Sequence, residues 1–225
     1  SCDPRIQLVV AGRNPARAKA FAEALGAHHP AEAAVVDIAD PAAAIAACRP
    51  GLVIHTVGPF QWQDYRVPEA AIACGAHYCD LADARAFVAR IGTLDQAARA
   101  ANVAVIAGAS SVPCLTAAFL DAAHSEFVAL EAVDYGIASA QETNRGIGTA
   151  RAVLSYVGRP FTALREGRPT RVFGWQDLHC EAYPELGRRW FGNCDIPDLE
   201  LFPARYPTLR SIRFGAGHEI APVFL

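Results

Sequence analysis

Lysine and methionine are nearly missing from this sequence. Lysine occurs once, at Lys19, among 20 lysine and arginine residues, and methionine does not occur at all. The sequence therefore offers no good candidate for a catalytic lysine that forms a Schiff base. No stretch approaches the ~20 consecutive apolar residues of a membrane-spanning helix, and no signal peptide is visible. We expect a cytoplasmic protein that spans no membrane.

Several functional motifs are missing as well. The seven cysteines are scattered without a C-x-x-C pair, which argues against a disulfide framework. Cys74, His77 and Cys79 lie close in sequence but lack the ligand spacing of a structural zinc site, so we predict no metal. A G-x-S-x-G elbow of hydrolases does not occur. The net charge of −3 gives no indication of nucleic-acid binding.

An alternation of apolar strands and capped helices fills residues 1–123. The strands are almost continuously apolar, which is typical of a parallel sheet covered on both faces. After residue 124 the sequence becomes richer in aromatic residues, proline and glycine. We predict a dinucleotide-binding domain over 1–123 and an α+β substrate or dimerisation domain over 124–225, both incomplete. The predicted strands end near Gly12, Asp37, Gly58, Asp83 and Ser110.

The glycine-rich turn that opens a dinucleotide-binding fold is also missing. Such folds begin with a strand, a G-x-G-x-x-G turn and a helix, whereas the first strand here is followed by "GRNPARA". That strand matches the second strand of the usual order. We therefore predict a Rossmann-like, doubly wound parallel sheet that lacks its first glycine-loop unit, followed by a second α+β domain. Together with the missing start methionine, this leads us to expect an amino-terminal truncation.

The first strand tip predicts which dinucleotide binds. In this fold the tip of the second strand meets the adenosine ribose, where an acidic residue accepts a hydrogen bond from the 2′-hydroxyl and an arginine pairs with a 2′-phosphate. Arg13 and Arg17 therefore favour NADP(H), and we assign cofactor contacts to Gly12, Arg13, Asn14 and Arg17. The alternative is an ordinary strand-to-helix turn.

The next tips extend the predicted cofactor site. Asp37 and Ile38 follow the second strand, where Asp37 either contacts the adenine or caps a turn. A turn beside the nicotinamide ribose is predicted after the third strand, with an ordinary tight turn as the alternative. Its residues are Val57, Gly58, Pro59 and Phe60.

Three charged residues are candidates for catalysis. Asp80 and Asp83 stand near one strand end, where they either orient a substrate amine and act as a base or cap the next helix. Arg66 follows the Gly-Pro turn and either pairs with a substrate carboxylate or is a surface arginine.

Two stretches resemble the saccharopine dehydrogenase-like family. They are "HTVGPFQWQDYRVPEAAIACGAHYCDLAD" and "AGASSVPCLTAAFLD". The resemblance implies an NADP-binding domain followed by a mixed substrate and dimerisation domain. It also implies hydride transfer at a carbon–nitrogen bond of an amino-acid-like substrate.

We accordingly expect an NADP-dependent oxidoreductase that works as a homodimer on a small-molecule substrate. Trp175, Trp190 and Phe191 are candidate anchors of the dimer interface, since interfaces favour aromatic residues; a core beneath long loops is the alternative. The alternatives to an enzyme are a non-catalytic NADP-binding sensor or scaffold and an inactive fragment.

Overall fold

The computed structural model describes residues 3, 5–25, 31–139, 151–152 and 154–218. The segment "GIGTARAVLSYVG", for which the sequence predicts a helix, lies partly outside these residues, at 146–150 and 153. The chain forms two compact units that alternate along the sequence. Unit 1 comprises Ser1–His55, Asp64–Asp80 and Ile91–Ile106, and unit 2 comprises Thr56–Gln63, Leu81–Arg90 and Ala107–Leu225. The functional division at residues 123 and 124 stays a prediction.

Unit 1 is an α/β unit with parallel strands. Strand β1 pairs with β2, and β3 pairs with β4, which pairs with β5; all three pairings are parallel, as the apolar pattern predicts. The strands are β1 (Leu8–Gly12), β2 (Ala31–Val35), β3 (Leu52–His55), β4 (His77–Asp80) and β5 (Val105–Ile106). Strand β1 ends at Gly12 as predicted, whereas β2, β3, β4 and β5 end two to four residues before the predicted ends at Asp37, Gly58, Asp83 and Ser110.

The strands of unit 1 form two sheets, with the orders β1-β2 and β3-β4-β5. In a doubly wound sheet of order 3-2-1-4-5-6, these orders correspond to strands 2 and 3 and to strands 4, 5 and 6. Apolar side chains of β1 and β3 are exposed, with relative exposures of 40% for Leu8, 50% for Leu52 and 61% for Ile54.

Local signals set the helices of unit 1. These are α1 (Pro15–Leu25), α2 (Ala42–Cys48), α3 (Arg66–Ala73) and α5 (Asp95–Ala100). Helix α3 ends because Gly75 adopts a φ of 73°, a left-handed conformation that glycine tolerates best. The backbone N–H of Ala76 then donates to the carbonyl of Ala71 over 2.9 Å. The helices bury mostly small residues against the strands, and Ala71 of α3 is fully buried. Ala76, which follows this helix, and Tyr78 of β4 are almost fully buried as well.

Unit 2 is built around a mainly antiparallel sheet. The strands are β6 (Ala132–Ser139), β7 (Pro160–Arg165), β8 (Arg168–Phe173), β9 (His179–Tyr183), β10 (Gly187–Asn193) and β11 (Ser211–His218). The four-stranded sheet has the order β6-β11-β10-β9, in which only β6 and β11 are parallel, and β7 and β8 form a hairpin. The helices are α4 (Arg85–Ala89), α6 (Thr116–Ala123) and α7 (Asp198–Arg205). None of the helices in the described residues is long and apolar enough to cross a membrane.

Large side chains fill the core of unit 2. Strand β11 alternates, so that Ile212 and Phe214 are buried against Leu199 and Phe202 of α7.

The opposite face of the unit 2 sheet carries glycines under the ring of Phe191. A Cβ atom at Gly217 would lie 2.6 Å from Cδ1 of that ring. Phe191 is itself only 4% exposed. The prediction that Phe191 anchors a partner is therefore wrong, because its ring is already packed within unit 2. Trp175 and Trp190 are half-buried.

Candidate functional site

Two exposed arginines mark the carboxyl end of β1 in unit 1. Gly12 is the last residue of the strand, and Arg13 and Arg17 follow at the start of α1. Both arginines are exposed, and no residue of the described chain forms an ion pair or hydrogen bond with either guanidinium. The first turn of α1 contains no acidic residue. This tip therefore presents positive charge that the protein itself leaves uncompensated.

Neighbouring residues shape this tip. The side-chain Oδ1 of Asn14 accepts a hydrogen bond from the backbone N–H of Arg17 at 3.0 Å, so Asn14 caps α1. Oδ1 of Asp37 accepts a hydrogen bond from the backbone N–H of Ala39 at 3.0 Å. Asp37 thus caps a turn, which is one of the two roles expected for it from the sequence. Asp37 remains exposed, and Ile38 packs against the core of unit 1.

The Gly-Pro turn belongs to unit 2. Val57 and Gly58 are exposed, and a side chain at Gly58 would meet nothing within 4 Å. The side chain of Gln63 fixes the turn by donating to the carbonyls of Val57 and Pro59. The ring of Phe60 is buried edge-to-face against Phe87, with centroids 5.3 Å apart. Any contact of Phe60 with a cofactor would therefore involve its backbone.

Three buried polar side chains meet at the carboxyl ends of β3 and β4 in unit 1. Nδ1 of His55 lies 2.9 Å from the hydroxyl of Tyr78, and Asp80 is fully buried. Burial lowers the pKa of His55, and the charge of Asp80 partly opposes that change. Burial and the neighbouring Asp80 both raise the pKa of Tyr78. Asp80 is thus part of an internal network in unit 1.

A second polar group lies in unit 2 and contains Asp83. The side-chain Nε2 of Gln61 donates to Oδ1 of Asp83 at 3.2 Å and to the hydroxyl of Tyr156 at 3.0 Å. Burial raises the pKa of Asp83, and hydrogen bonds from its own backbone N–H and from Gln61 offset part of that rise. Burial likewise raises the pKa of Tyr156. We call Gln61, Asp83 and Tyr156 the Gln61 cluster.

The surroundings of the Gln61 cluster are rich in acidic groups. Burial raises the pKa of Cys194 to about 12, with smaller contributions from Asp83 and Asp195, so this thiol is protonated and unreactive at neutral pH. Arg85 pairs with Asp195 at 3.2 Å and with Glu200 at 3.0 Å. Arg85, two residues after Asp83 in the sequence, is therefore already paired with two other carboxylates.

The three predicted catalytic residues have different partners. Asp80 belongs to the buried network of unit 1 and Asp83 to the Gln61 cluster of unit 2. Arg66 pairs with Asp64 at 2.9 Å and donates to the carbonyl of Ala39 at 2.9 Å. Arg66 is thus the salt-bridged surface arginine of the alternative interpretation. In the described residues no group of three His, Cys, Asp or Glu side chains could hold a metal ion.

Sequence reasoning did not assign Gln61 or Tyr156 to the site. Gln61 follows the Gly-Pro turn directly, so its position beside the predicted site could have indicated it. Tyr156 lies 95 residues further along the chain. No local pattern links it to Asp83, because a tertiary contact alone brings the two together.

The family comparison agrees with this picture of unit 1. Residues 2–106 match the family described as Saccharopine dehydrogenase NADP binding domain. This match confirms the resemblance found in the sequence and indicates that this part of the chain binds NADP. No curated protein matches the chain significantly.

A solved structure supports the fold of the chain as a whole. The apo histidine-tagged saccharopine dehydrogenase (L-Glu forming) from Saccharomyces cerevisiae superposes with a TM-score of 0.69 at 17% sequence identity. The match covers 96% of this chain and 50% of the yeast chain, so this chain spans half the length of that structure. At this identity the likeness establishes the fold: a Rossmann-like part followed by a second α+β part.

The residues present fit one end of NADP. The uncompensated guanidiniums of Arg13 and Arg17 suit a 2′-phosphate, and the open space around Gly12 leaves room for a ribose. The sequence contains no glycine-rich turn for the pyrophosphate. The residues of this chain thus fit the adenosine 2′-phosphate end of the cofactor.

Proposed function

We propose that this protein is an NADP-dependent oxidoreductase of the saccharopine dehydrogenase type. It would transfer a hydride at a carbon–nitrogen bond of an amino-acid-like substrate. The NADP-binding domain over residues 2–106 carries the cofactor half of the proposal. The substrate half is supported by the family resemblance and by the similar yeast structure, which is an L-Glu-forming saccharopine dehydrogenase.

The proposed reaction fixes what the substrate side of the protein must do. NADP supplies a nicotinamide that accepts or donates the hydride. In the oxidative direction the substrate carbon loses a hydride and its nitrogen loses a proton, which leaves a C=N bond. The protein must therefore hold an amine nitrogen and accept one proton. Asp83 is the candidate for this task, because it is a carboxylate without a cationic partner in the described residues.

The roles of the other predicted residues follow from their contacts. Asp80 would support the nicotinamide end of the sheet through Tyr78 and His55 rather than touch substrate. Arg66, already bonded to Asp64 and Ala39, would stabilise the turn that precedes α3. The cofactor contacts proposed for Gly12, Arg13, Asn14, Arg17, Asp37, Ile38, Val57, Gly58, Pro59 and Phe60 stay proposals.

The alternative is a non-catalytic NADP-binding sensor or scaffold, or an inactive fragment of an enzyme. One observation favours it: the sequence as given contains no G-x-G-x-x-G turn for the pyrophosphate. NADPH oxidation with imine or amino-acid substrates separates the two functions. An enzyme consumes NADPH with a suitable substrate, and a sensor binds NADPH without consuming it.

The exposed position of Arg13 gives the test of cofactor binding. A charge-assisted hydrogen bond to the 2′-phosphate contributes about 1.5–3 kcal/mol, which corresponds to roughly ten- to a hundredfold in affinity. We expect Arg13→Asp to weaken NADP(H) at least about tenfold and to leave NAD(H) unchanged or tighter. Arg17→Ala is the matched control and should have a smaller effect, since it lies one turn further along α1. Calorimetric titration of both dinucleotides measures this.

Two results would contradict the assignment. Equal losses for NADP(H) and NAD(H) in Arg13→Asp would mean that Arg13 supports the fold and not the phosphate. A protein that binds neither dinucleotide would refute the cofactor role of this chain.

We also propose that the protein acts in the cytoplasm as a homodimer. Trp175 and Trp190 are half-buried in unit 2 and remain candidate anchors for a partner surface. Sedimentation at micromolar concentration should give the mass of two chains. A single-chain mass would contradict the dimer.

A further inference from the structure

The Gln61 cluster has hydrogen-bonding capacity that the described residues do not satisfy. A glutamine amide has two N–H donors and one carbonyl acceptor. Gln61 uses both donors, one toward Asp83 and one toward Tyr156. Its carbonyl Oε1 is buried and has no hydrogen-bond partner. Since leaving a buried acceptor unpaired costs free energy, this atom indicates a ligand that donates.

The hydroxyl of Tyr156 supplies the opposite capacity. Its oxygen accepts from Gln61, and the tyrosine O–H is itself a donor. Among the described residues, no acceptor for this hydrogen is present. The raised pKa of Tyr156 keeps the hydroxyl protonated at neutral pH. The cluster therefore offers one donor and one acceptor side by side, connected through the amide of Gln61.

The charge at the cluster has one sign. No cationic side chain of the described chain pairs with Asp83, and Arg85 is bonded to Asp195, Glu200 and the carbonyl of Thr162. A half-buried carboxylate without a counter-ion is destabilising by itself. A cationic donor would compensate this charge and bond to Oε1 of Gln61 at the same time.

We propose that Gln61, Asp83 and Tyr156 bind the ammonium group of a ligand that carries a hydrogen-bond acceptor next to it. The ammonium lies against the carboxylate of Asp83 and Oε1 of Gln61. The O–H of Tyr156 donates to the neighbouring acceptor, which in an amino acid is the α-carboxylate. Gln61 and Tyr156 are then specificity-determining residues, and the hydrogen bonds of Gln61 position the side chains of Asp83 and Tyr156.

This assignment extends the proposed oxidoreductase function and rests on it for the identification of the ligand as the substrate. The binding chemistry itself needs no cofactor. Ligand binding measured without NADP(H) therefore tests the cluster, and the dinucleotide titrations of Arg13→Asp test the cofactor role. Either one can fail without the other.

The test uses four small probes on the 225-residue chain. L-glutamate and L-lysine carry an ammonium beside a carboxylate, glutarate lacks the ammonium, and pentylamine lacks the acceptor. Calorimetry near pH 7.5, supported by the fluorescence of Trp62 next to Gln61, measures binding. We expect at least one of the two amino acids to bind, pentylamine to bind more weakly, and glutarate not to bind.

Variants separate the roles of the three side chains. Asp83→Asn should weaken the amino acid and pentylamine alike, by at least about tenfold each. Tyr156→Phe should weaken the amino acid several-fold and leave pentylamine unchanged, because pentylamine has no acceptor for the hydroxyl. Gln61→Met should weaken both ligands. Tyr183→Phe is the matched control outside the cluster and should bind like the wild-type chain.

Circular dichroism must show that each variant is folded. Variants of Asp83 and Tyr156 are independent, so the proposal remains testable if one of them unfolds. Glutarate binding as tightly as the amino acid would overturn the proposal, as would undiminished binding by Asp83→Asn. A wild-type chain that binds none of the three amines would overturn it too.

Discussion

The two units of the molecule are stabilised in different ways. Unit 1 packs small residues such as Ala71 and Ala76 between short parallel strands and leaves several strand side chains exposed. Unit 2 buries Phe202, Ile212 and Phe214 in one continuous core under strands of up to eight residues. Hydrophobic stabilisation scales with the apolar area removed from water. We therefore conclude that each core residue of unit 2 buries, on average, more apolar area than a core residue of unit 1.

The two candidate sites also differ in the charge that their surroundings leave unpaired. At the strand tip of unit 1 this charge is positive and exposed, at Arg13 and Arg17. In the Gln61 cluster of unit 2 it is negative and partly buried, at Asp83. An exposed charge costs little folding stability because water solvates it, whereas a buried charge costs more. A substitution of Asp83 should therefore change folding stability more than a substitution of Arg13 or Arg17.

The largest expected effect comes from the core of unit 2. Phe202→Ala should destabilise the protein by about 3–5 kcal/mol, because it removes a buried ring and leaves a cavity. Trp62, Trp175 and Trp190, the protein's three tryptophans, all belong to unit 2. Urea unfolding followed by tryptophan fluorescence therefore reports on the unit that the substitution affects.

Two controls sharpen this comparison of cores. Phe119 is 68% exposed, so Phe119→Ala should change the urea midpoint little. Ile45→Ala in unit 1 should lower the urea midpoint less than Phe202→Ala does when unfolding is followed by circular dichroism, which reports on both units. A larger shift for Ile45→Ala would contradict the conclusion that unit 2 has the stronger core.

A smaller effect is expected where a helix of unit 2 begins. Asp198 is fully buried at the start of α7 and accepts a hydrogen bond from the hydroxyl of Thr116. Thr116→Val removes this donor at nearly constant volume and should cost about 1–3 kcal/mol, because the buried carboxylate loses a partner. Thr116→Ser keeps the hydroxyl and should recover most of the loss in a urea titration. Equal losses in both variants would assign the effect to packing.

The sequence predicted unit 1 far better than unit 2, for physical reasons. The cap at Asn14, the stop at Gly75 and the apolar runs of the parallel strands are local signals that act within a few residues. Arg13 could be placed at a strand tip because every strand of such a sheet ends on a predictable side.

In unit 2 the decisive contacts are long-range. Nothing near Asp83 in sequence indicates Tyr156, and the burial of Phe191 depends on glycines of β6 and β11. The pairing of β11 with β6 joins segments that are far apart in the chain. Burial patterns could have indicated these strands, but not their order. The Gln61 cluster is therefore visible only in three dimensions.

The smallest expected effect is a gain of stability at Asp83. Its ionised form is disfavoured by burial, so its pKa in the folded protein is above the ~3.9 of an unfolded chain. The ionised carboxylate would be better solvated after unfolding. Asp83→Asn removes the ionisable group and should therefore raise the Tm of the free protein at neutral pH, by a few degrees at most.

The pH dependence of this gain in stability tests whether the charge of Asp83 causes it. As the pH falls through the raised pKa of Asp83, the folded wild-type protein takes up a proton and recovers the lost stability. The difference between Asp83→Asn and wild type should therefore be largest near pH 7 and vanish below pH ~4, where both states hold a neutral side chain. Thermal unfolding of both proteins at a series of pH values measures the difference. Asp195 and Asp198 also have raised pKa values, but both proteins share them, so they cancel.

Asp64→Asn is the matched control, because Asp64 is exposed and pairs with Arg66. It should change stability by no more than about 0.5 kcal/mol, without the same rise toward pH 7. A destabilised Asp83→Asn would mean that the carboxylate is structural, held by Gln61 and its own backbone. A stabilised variant that no longer binds amines would show that the protein keeps Asp83 charged at the expense of its own folding, as a binding residue for cations must be.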